Sequence, residues 1–167
     1  NNEVGSLQPI AKIGQLIKRL NLERQQKNNP LPLYFHTDAC QAANYLDLHV
    51  SRLGVDLMTI NGGKIYGPKQ SGALFVKAGV VLQPLIDGGG QERGLRSGTQ
   101  NVASSIGLAT ALDIVQTARH IETARLQNLQ KAFFKQAHDE LPNVVVKKKK
   151  KWRLPNNVHL TFNGQDN

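Results

Sequence analysis

Helix-like and strand-like segments alternate along this chain, and polar residues directly follow two of the strand-like segments. Pro9 precedes apolar residues at helical spacing, which predicts an amphipathic helix containing Ile10, Ile13, Ile17 and Leu20. Residues 33–36, 55–60 and 71–80 are short apolar runs that predict strands. This alternation predicts an α/β fold with a largely parallel sheet. Ligands bind at the carboxyl ends of strands in such sheets, where Asp38 and Lys64 fall.

The remaining segments predict loops and one long helical region. Residues 21–32 are polar and end in Asn-Asn-Pro before Leu31, which favours a loop. Residues 101–141 form a helical region that we expect to break or bend near residues 118–120 and to stop at Pro142. Such a connector often joins two domains, and we place the boundary loosely between residues 116 and 124, with one domain over residues 1–120 and the next over 121–167.

Length and composition are those of a globular protein or part of one. The 167 residues are 40% hydrophobic and 20% charged, without an apolar run long enough to cross a bilayer or a recognisable signal peptide. Both ends resemble the interior of a longer sequence, and Met58 is the only methionine, so we expect an internal fragment. The single cysteine, Cys40, excludes an internal disulfide and a cysteine-based metal cage. We predict no metal site and a cytoplasmic location.

The net charge of +9 comes largely from one lysine run. Residues 147–151 supply five positive charges, and basic runs of this size occur in nucleic-acid-binding patches. No aromatic residues alternate with the lysines to stack on bases, so a solvated hairpin tip is the favoured interpretation. A non-catalytic basic module that binds nucleic acid remains an alternative.

Lys64 follows two glycines and an asparagine at the end of a predicted strand. Glycines allow the backbone to approach a ligand closely, and N–H groups in such a turn can bind phosphate beside a polar side chain. A lysine in a glycine turn can equally be a solvated surface residue, and Asp38 alone can be a helix N-cap. The local sequence therefore leaves both readings open.

The segment 61–69 reads Asn-Gly-Gly-Lys-Ile-Tyr-Gly-Pro-Lys and is one of several distinctive motifs along the chain. Together these motifs resemble the cysteine desulfurases of the class V aminotransferase family, in the branch that serves iron–sulfur cluster assembly and thiolation of transfer RNA, and the segment 61–69 is similar to the family's pyridoxal-lysine segment. The other similar stretches follow in the family's order and are residues 1–5, 36–41, 88–99 and 154–160. This resemblance implies the large domain of a fold-type I enzyme, a three-layer α/β structure with a mostly parallel sheet, followed by the start of a smaller α+β domain.

The resemblance also implies roles for individual residues with pyridoxal 5'-phosphate (PLP) as the cofactor. Lys64 would hold PLP as a Schiff base and later move the substrate's Cα proton. Asp38 would pair with the pyridine nitrogen and keep it protonated. The other implied contacts are Gln41 with the phenolic oxygen, Asn2 with cofactor or substrate, Asn61, Gly62 and Gly63 with the phosphate, and Thr99 with the phosphate of a second subunit in a homodimer.

Two positions depart from the family's pattern, and two further residues need a separate reading. The residue before the lysine is commonly histidine and is Gly63 here, and the position of Asn61 is commonly serine. Backbone and amide donors for a phosphate remain, whereas a contribution from a histidine side chain is lost. We expect Cys40 to be a part-buried residue near the cofactor and not the sulfur-accepting nucleophile, which in the family lies far downstream. We expect His36 to pack behind Asp38.

The implied activity is conversion of L-cysteine to L-alanine, with transfer of sulfur to an enzyme cysteine and then to an acceptor scaffold protein. Other class V activities, a selenocysteine lyase or a small-amino-acid aminotransferase, remain alternatives. A chain that carries the cofactor lysine without the nucleophile is expected to lack desulfurase activity by itself.

Overall fold

The computed structural model describes residues 2–29, 31–146 and 152–164 and forms an α/β arrangement. Its helices are α1 (Ile10–Gln26), α2 (Val50–Leu53) and α3 (Val102–Glu140), and short 3-10 turns cover Gly62–Lys64 and Glu92–Gly94. Its strands are β1 (His36–Asp38), β2 (Leu57–Asn61), β3 (Gly72–Val76), β4 (Val144–Val146) and β5 (Leu160–Phe162). The lysine run at residues 147–151, which was predicted to be a solvated hairpin tip, lies outside the described part of the chain.

Strands β1, β2 and β3 form one sheet in that order. Strand β1 runs parallel to β2 with Asp38 beside Thr59, and β2 runs antiparallel to β3 with Asn61 beside Gly72. The sheet is therefore mixed, with one parallel and one antiparallel pair among the described strands. Because β1 and β2 are parallel, the residues that follow both strands lie at one edge of the sheet.

The main core lies between the sheet and the first half of α3. Met58 and Ile60 alternate along β2 with the less buried Leu57 and Thr59, so one face of the strand packs inward. Leu108 of α3 is buried against this face, together with Ala39, Ala43, Val55 and Ile65. Helix α1 packs closely against the end of α2 at Gly14, where an added Cβ would lie 2.5 Å from the carbonyl oxygen of Leu53.

Helix α1 is longer than the sequence pattern predicts. It continues to Gln26 through part of the segment expected to be a loop. Asn21 explains the extension, because its side-chain amide donates to the Leu33 carbonyl at 2.9 Å and its oxygen accepts from the Leu33 N–H at 2.7 Å. Arg24 also donates to the Leu31 carbonyl. These polar residues bind the incoming strand segment from the helix and do not mark a loop.

Strand β1 begins three residues later than predicted. The backbone of Leu33 is bound by Asn21, and the Phe35 N–H donates to the Asp56 carboxylate at 3.0 Å. Side chains therefore bind the N–H groups of Leu33 and Phe35, while the Phe35 carbonyl already accepts from the backbone N–H groups of Asp56 and Leu57. The same carboxylate accepts from Lys77 at 2.9 Å, and β2 begins immediately after Asp56.

Helix α3 is continuous, so a break near residues 118–120 is wrong, and the alternative of a bend there stays a prediction. Ala118 and Arg119 are good helix formers, and Arg119 donates to the Gln116 side chain one turn earlier at 2.8 Å. The helix ends at Glu140, close to the predicted stop before Pro142. Beyond it, β4 pairs antiparallel with β5, which confirms the predicted strand for residues 160–162 but not for Val158 and His159. None of the described helices has the length and apolarity needed to span a membrane.

Candidate cofactor site

Asp38 is the last residue of β1, and its exposed carboxylate marks the carboxyl edge of the parallel strand pair. The Cys40 N–H donates to Asp38 Oδ1 at 2.9 Å. Hydrogen bonds from the Cys40 thiol and N–H lower the pKa of Asp38, and the nearby His36 adds a smaller effect in the same direction. Asp38 is therefore a stable carboxylate at neutral pH, as a partner for a cationic ring nitrogen must be.

Lys64 is the last residue of the 3-10 turn that directly follows β2. Its position is set on one side by Ile65, which is fully buried in the core. On the other side, the buried Asn44 donates through Nδ2 to the Lys64 carbonyl at 2.8 Å. Lys64 itself is exposed. The backbone is thus fixed at the Lys64 carbonyl and at Ile65, while Lys64 as a residue is exposed to solvent.

The charges of both Asp38 and Lys64 act on the thiol of Cys40. Burial raises the pKa of Cys40 to about 11, and the hydrogen bond and charge of Asp38 act in the same direction. The positive charge of Lys64 acts on the same thiol and opposes the shift. Carboxylate and ammonium therefore both lie within electrostatic reach of one half-buried sulfur. The predicted part-burial of Cys40 is confirmed, and a thiol with this pKa is a poor nucleophile at neutral pH.

The two glycines before Lys64 have different roles. The Gly62 N–H donates to the Ser71 carbonyl at 2.8 Å, and the Gly62 carbonyl accepts from Ile65 and Gly67. Gly62 is buried, and an added Cβ would lie 2.0 Å from Ser71 Oγ. The Gly62 N–H is thus occupied in this conformation, and the phosphate contact of Gly62 stays a prediction. Gly63 and Asn61 are exposed on the outer side of the turn.

The other predicted residues lie in different surroundings. Gln41 is half-buried in the turn that follows Asp38. Thr99 is exposed after a loop that is held together locally, since the Gly98 N–H donates to Gln91 and the Gly90 N–H to the buried Ser97. Asn2 is exposed at the start of a segment that pairs with residues 152–157. The structure brings Asp38, Gln41 and residues 61–64 to one sheet edge, and the contacts of Asn2 and Thr99 stay predictions.

His36 does not pack behind Asp38 as expected. It is exposed, and its Nε2 lies 2.8 Å from the hydroxyl oxygen of Thr59 on the neighbouring strand. The side chains of His36 and Asp38 project from the same face of β1 because strand residues alternate. The histidine therefore lies beside the carboxylate on the open face of the sheet.

Asn44 is a residue at this site that the sequence pattern does not reveal. It is only 9% exposed, and its bond to Lys64 crosses 20 positions of the chain. Asparagine in a turn is ordinarily explained by local hydrogen bonds. The signal that distinguishes it is tertiary and depends on how the turn 39–46 packs against the turn 62–65.

Comparison with known proteins agrees with this geometry. The family model described as Aminotransferase class-V matches residues 1–167. The chain is 40% identical to the cysteine desulfurase IscS of Clostridium botulinum over 98% of its own length and 39% of that protein. It is 37% identical to the cysteine desulfurase of Rattus norvegicus over 97% of its length and 34% of that protein. The chain therefore spans little more than a third of these relatives.

Solved structures share the fold. The NifS-like protein from Rickettsia africae superposes with a TM-score of 0.87 at 32% identity, covering 99% of this chain and 43% of that one. This agreement confirms the α/β class and the expected partial large domain of fold-type I enzymes. With a family model that matches along the entire sequence and a shared fold, the chain belongs to the class V aminotransferase family.

Proposed function

We propose that the protein carrying this chain is a PLP-dependent cysteine desulfurase, and that the sheet edge at Asp38 and Lys64 holds its cofactor. The observation that supports this most strongly is the placement of Asp38 and Lys64 directly at and after the carboxyl ends of two parallel, paired strands, with Asp38 beside Thr59. The two desulfurase relatives described above supply the substrate class.

The residues at this edge fit PLP. An ionised carboxylate at Asp38 suits a protonated pyridine nitrogen, and an exposed lysine on a fixed turn suits attachment to an aldehyde carbon. The outer side of the turn offers Gly63 and Asn61 for a phosphate, and Gln41 lies in the turn after Asp38 for the phenolic oxygen. When bound, PLP supplies an electron-accepting ring next to the substrate's Cα.

In this proposal the residues of the chain divide the remaining work. Lys64 first holds the cofactor and, once released from it, moves the proton at the substrate Cα. Asp38 keeps the ring nitrogen protonated. Asn2 contacts cofactor or substrate, and Thr99 reaches the phosphate site of a second subunit in a homodimer. The sulfur of L-cysteine passes to a cysteine other than Cys40, whose raised pKa makes it a poor acceptor at neutral pH.

We further propose that residues 1–120 are the C-terminal part of the large domain and that residues 121–167 are the connecting helix and the beginning of the small domain. The contacts of α3 support a change of partner along this helix. Gln116 and Thr123 bind backbone carbonyls of the turn 39–46, whereas Gln130 binds those of Leu154 and Asn157. The changeover therefore lies between Thr123 and Gln130, close to the proposed boundary. A cytoplasmic enzyme that delivers sulfur to a scaffold protein for iron–sulfur clusters or transfer-RNA thiolation completes the proposal.

Borohydride reduction in the presence of PLP, followed by peptide mapping, tests the cofactor site. We expect the reduced label on Lys64 and its loss in Lys64→Ala. Lys69→Ala is the matched control, since Lys69 is an exposed lysine in the same segment and its loss should leave the label in place. A label distributed over surface lysines, unchanged in Lys64→Ala, would rule out the proposed attachment point.

Alanine release from L-cysteine tests the assignment of Cys40. The purified 167-residue chain, loaded with PLP, is expected to release no alanine above the cofactor alone. Turnover that disappears in Cys40→Ala would show that Cys40 is the sulfur acceptor after all.

A further inference from the structure

We infer that Asn44 is a positioning residue for the cofactor lysine, acting through the backbone carbonyl of Lys64. The inference rests on the proposed attachment of PLP to Lys64. It adds to the proposed site a residue from a different part of the chain. The buried side-chain amide of Asn44, in the turn 39–46, fixes the position of the Lys64 backbone.

The first step is the contact itself. Asn44 Nδ2 donates to the Lys64 carbonyl at 2.8 Å, and the side chain is almost fully buried. A carbonyl oxygen can only accept, so this bond fixes which end of the amide faces Lys64. The bond joins the residue at the end of the Gly62–Lys64 turn to a second turn, and so limits rotation of the backbone from which the lysine side chain extends.

The second step is the unfavourable energetics of burying this side chain. Asn44 Oδ1 is buried and has no hydrogen-bond partner among the described residues. Burying an unsatisfied acceptor costs free energy, which a single neutral hydrogen bond offsets only in part. An apolar residue of similar size would avoid that cost. Asn44 therefore contributes little to the free energy of unfolding, and its clear structural effect is the hydrogen bond to the Lys64 carbonyl.

The third step is the rigidity of the turn that carries Asn44. Gln116 of α3 donates through Nε2 to the carbonyls of Ala43 and Leu46, which lie before and after Asn44 in the sequence. Thr123, two turns further along α3, donates to the carbonyl of Tyr45 at 3.3 Å. Ala43 is fully buried in the core. The amide is thus presented to Lys64 from a segment fastened to the longest helix.

A fixed lysine matters because the covalent link to a cofactor competes with free amines. Lys64 retains the cofactor through the effective concentration of an amine held in place, and backbone freedom lowers that concentration. Loss of the Asn44 bond should therefore make the cofactor easier to displace from Lys64, while the phosphate and ring contacts remain.

The test is displacement of PLP from Lys64 by methylamine in the purified holoprotein, followed by its absorption band and by borohydride trapping. In Asn44→Leu, which keeps the branched shape and the number of side-chain heavy atoms, and in Asn44→Ala, half-displacement should occur at about fivefold lower amine concentration, the factor that one neutral hydrogen bond contributes. The thermal midpoint of Asn44→Leu should fall no further than that of Gln130→Ala.

Gln130→Ala is the matched control. It also removes an amide that donates to backbone carbonyls from α3, but at Leu154 and Asn157. It should leave the amine concentration for half-displacement unchanged. Wild-type displacement in both Asn44 variants, with the proteins folded, would overturn the inference. Absence of any borohydride label on Lys64 in the wild type would instead overturn the proposed function.

Discussion

The two halves of α3 fasten two turns in the same chemical way, with different consequences. Gln116 donates to the carbonyls of Ala43 and Leu46, and Gln130 donates to the carbonyls of Leu154 and Asn157. The first turn also contains the buried Asn44, whose side chain donates a hydrogen bond to the Lys64 carbonyl. The same helix-to-turn contact therefore supports the proposed cofactor lysine in one region and chain packing in the other.

The second region is built around the start of the chain. The Leu7 N–H donates to the Trp152 carbonyl and the Leu154 N–H to the Gly5 carbonyl, each at 2.8 Å. The Asn157 amide donates to the Glu3 carbonyl at 2.8 Å, and Arg153 lies 5.7 Å from the centre of the Phe134 ring. This region joins distant parts of the sequence through backbone bonds. The hydrogen bonds of Gln116 and Gln130 are chemically similar, so any difference in their functional importance depends on what the bound turn itself contacts.

The largest expected effect distinguishes the two glycines in the first region. Gly62→Ala places a Cβ 2.0 Å from Ser71 Oγ and 3.1 Å from both Leu108 Cδ1 and the Pro68 carbonyl. We expect the free energy of unfolding to fall by about 3 kcal/mol, as for overpacked core positions. Urea denaturation measures this change.

Gly63→Ala is the control for that substitution, because its Cβ would meet only Asn61 Oδ1 at 3.3 Å and Lys69 Cα at 3.9 Å. The expected change is within about 0.5 kcal/mol, as for other surface positions. Equal destabilisation by the two alanines would show that the turn is not packed as the structure has it. Ser71→Ala combined with Gly62→Ala should recover part of the loss, since it removes the nearest clashing atom.

The next effect concerns the chemistry of the same sheet edge. Burial and Asp38 raise the pKa of Cys40 to about 11, so the thiolate fraction at pH 8 is small and increases until the pH passes 11. We expect iodoacetamide to alkylate Cys40 about two orders of magnitude more slowly at pH 8 than a free cysteine with its ordinary pKa of about 8.5.

Asp38→Asn sharpens that measurement. It removes the negative charge and the carboxylate that accepts from the Cys40 thiol, both of which raise the pKa of Cys40. Alkylation at pH 8 should therefore accelerate, and the pH at which the rate levels off should move down. Rapid alkylation of the wild type, equal to that of a free thiol, would contradict the assignment of Cys40 as an unreactive residue.

The contrast between the two regions also shows what the sequence could and could not predict. The elements at the sheet edge were predictable because apolar runs are followed closely by Asp38 and Asn61, and ligands bind at this edge in such folds. The bonds of Asn21, Asp56 and Asn44 were not, because each joins positions 12 to 21 residues apart. Polar residues that bind distant backbone groups have the same local pattern as loop residues. This is why α1 was predicted too short and β1 too early.

The smallest effect tests the opening comparison directly. Gln116→Ala and Gln130→Ala each remove an amide that donates to two backbone carbonyls, so each should lower the free energy of unfolding by about 1–2 kcal/mol. Only Gln116→Ala loosens the turn that carries Asn44, and only this variant should release PLP from Lys64 at a lower methylamine concentration. The shift should be smaller than that of Asn44→Leu, because Gln116 acts one contact further from the lysine and Thr123 still holds the turn at Tyr45. Equal shifts in the two glutamine variants would mean that cofactor retention follows overall stability. No shift in either would place the control of Lys64 in Asn44 and its immediate surroundings alone.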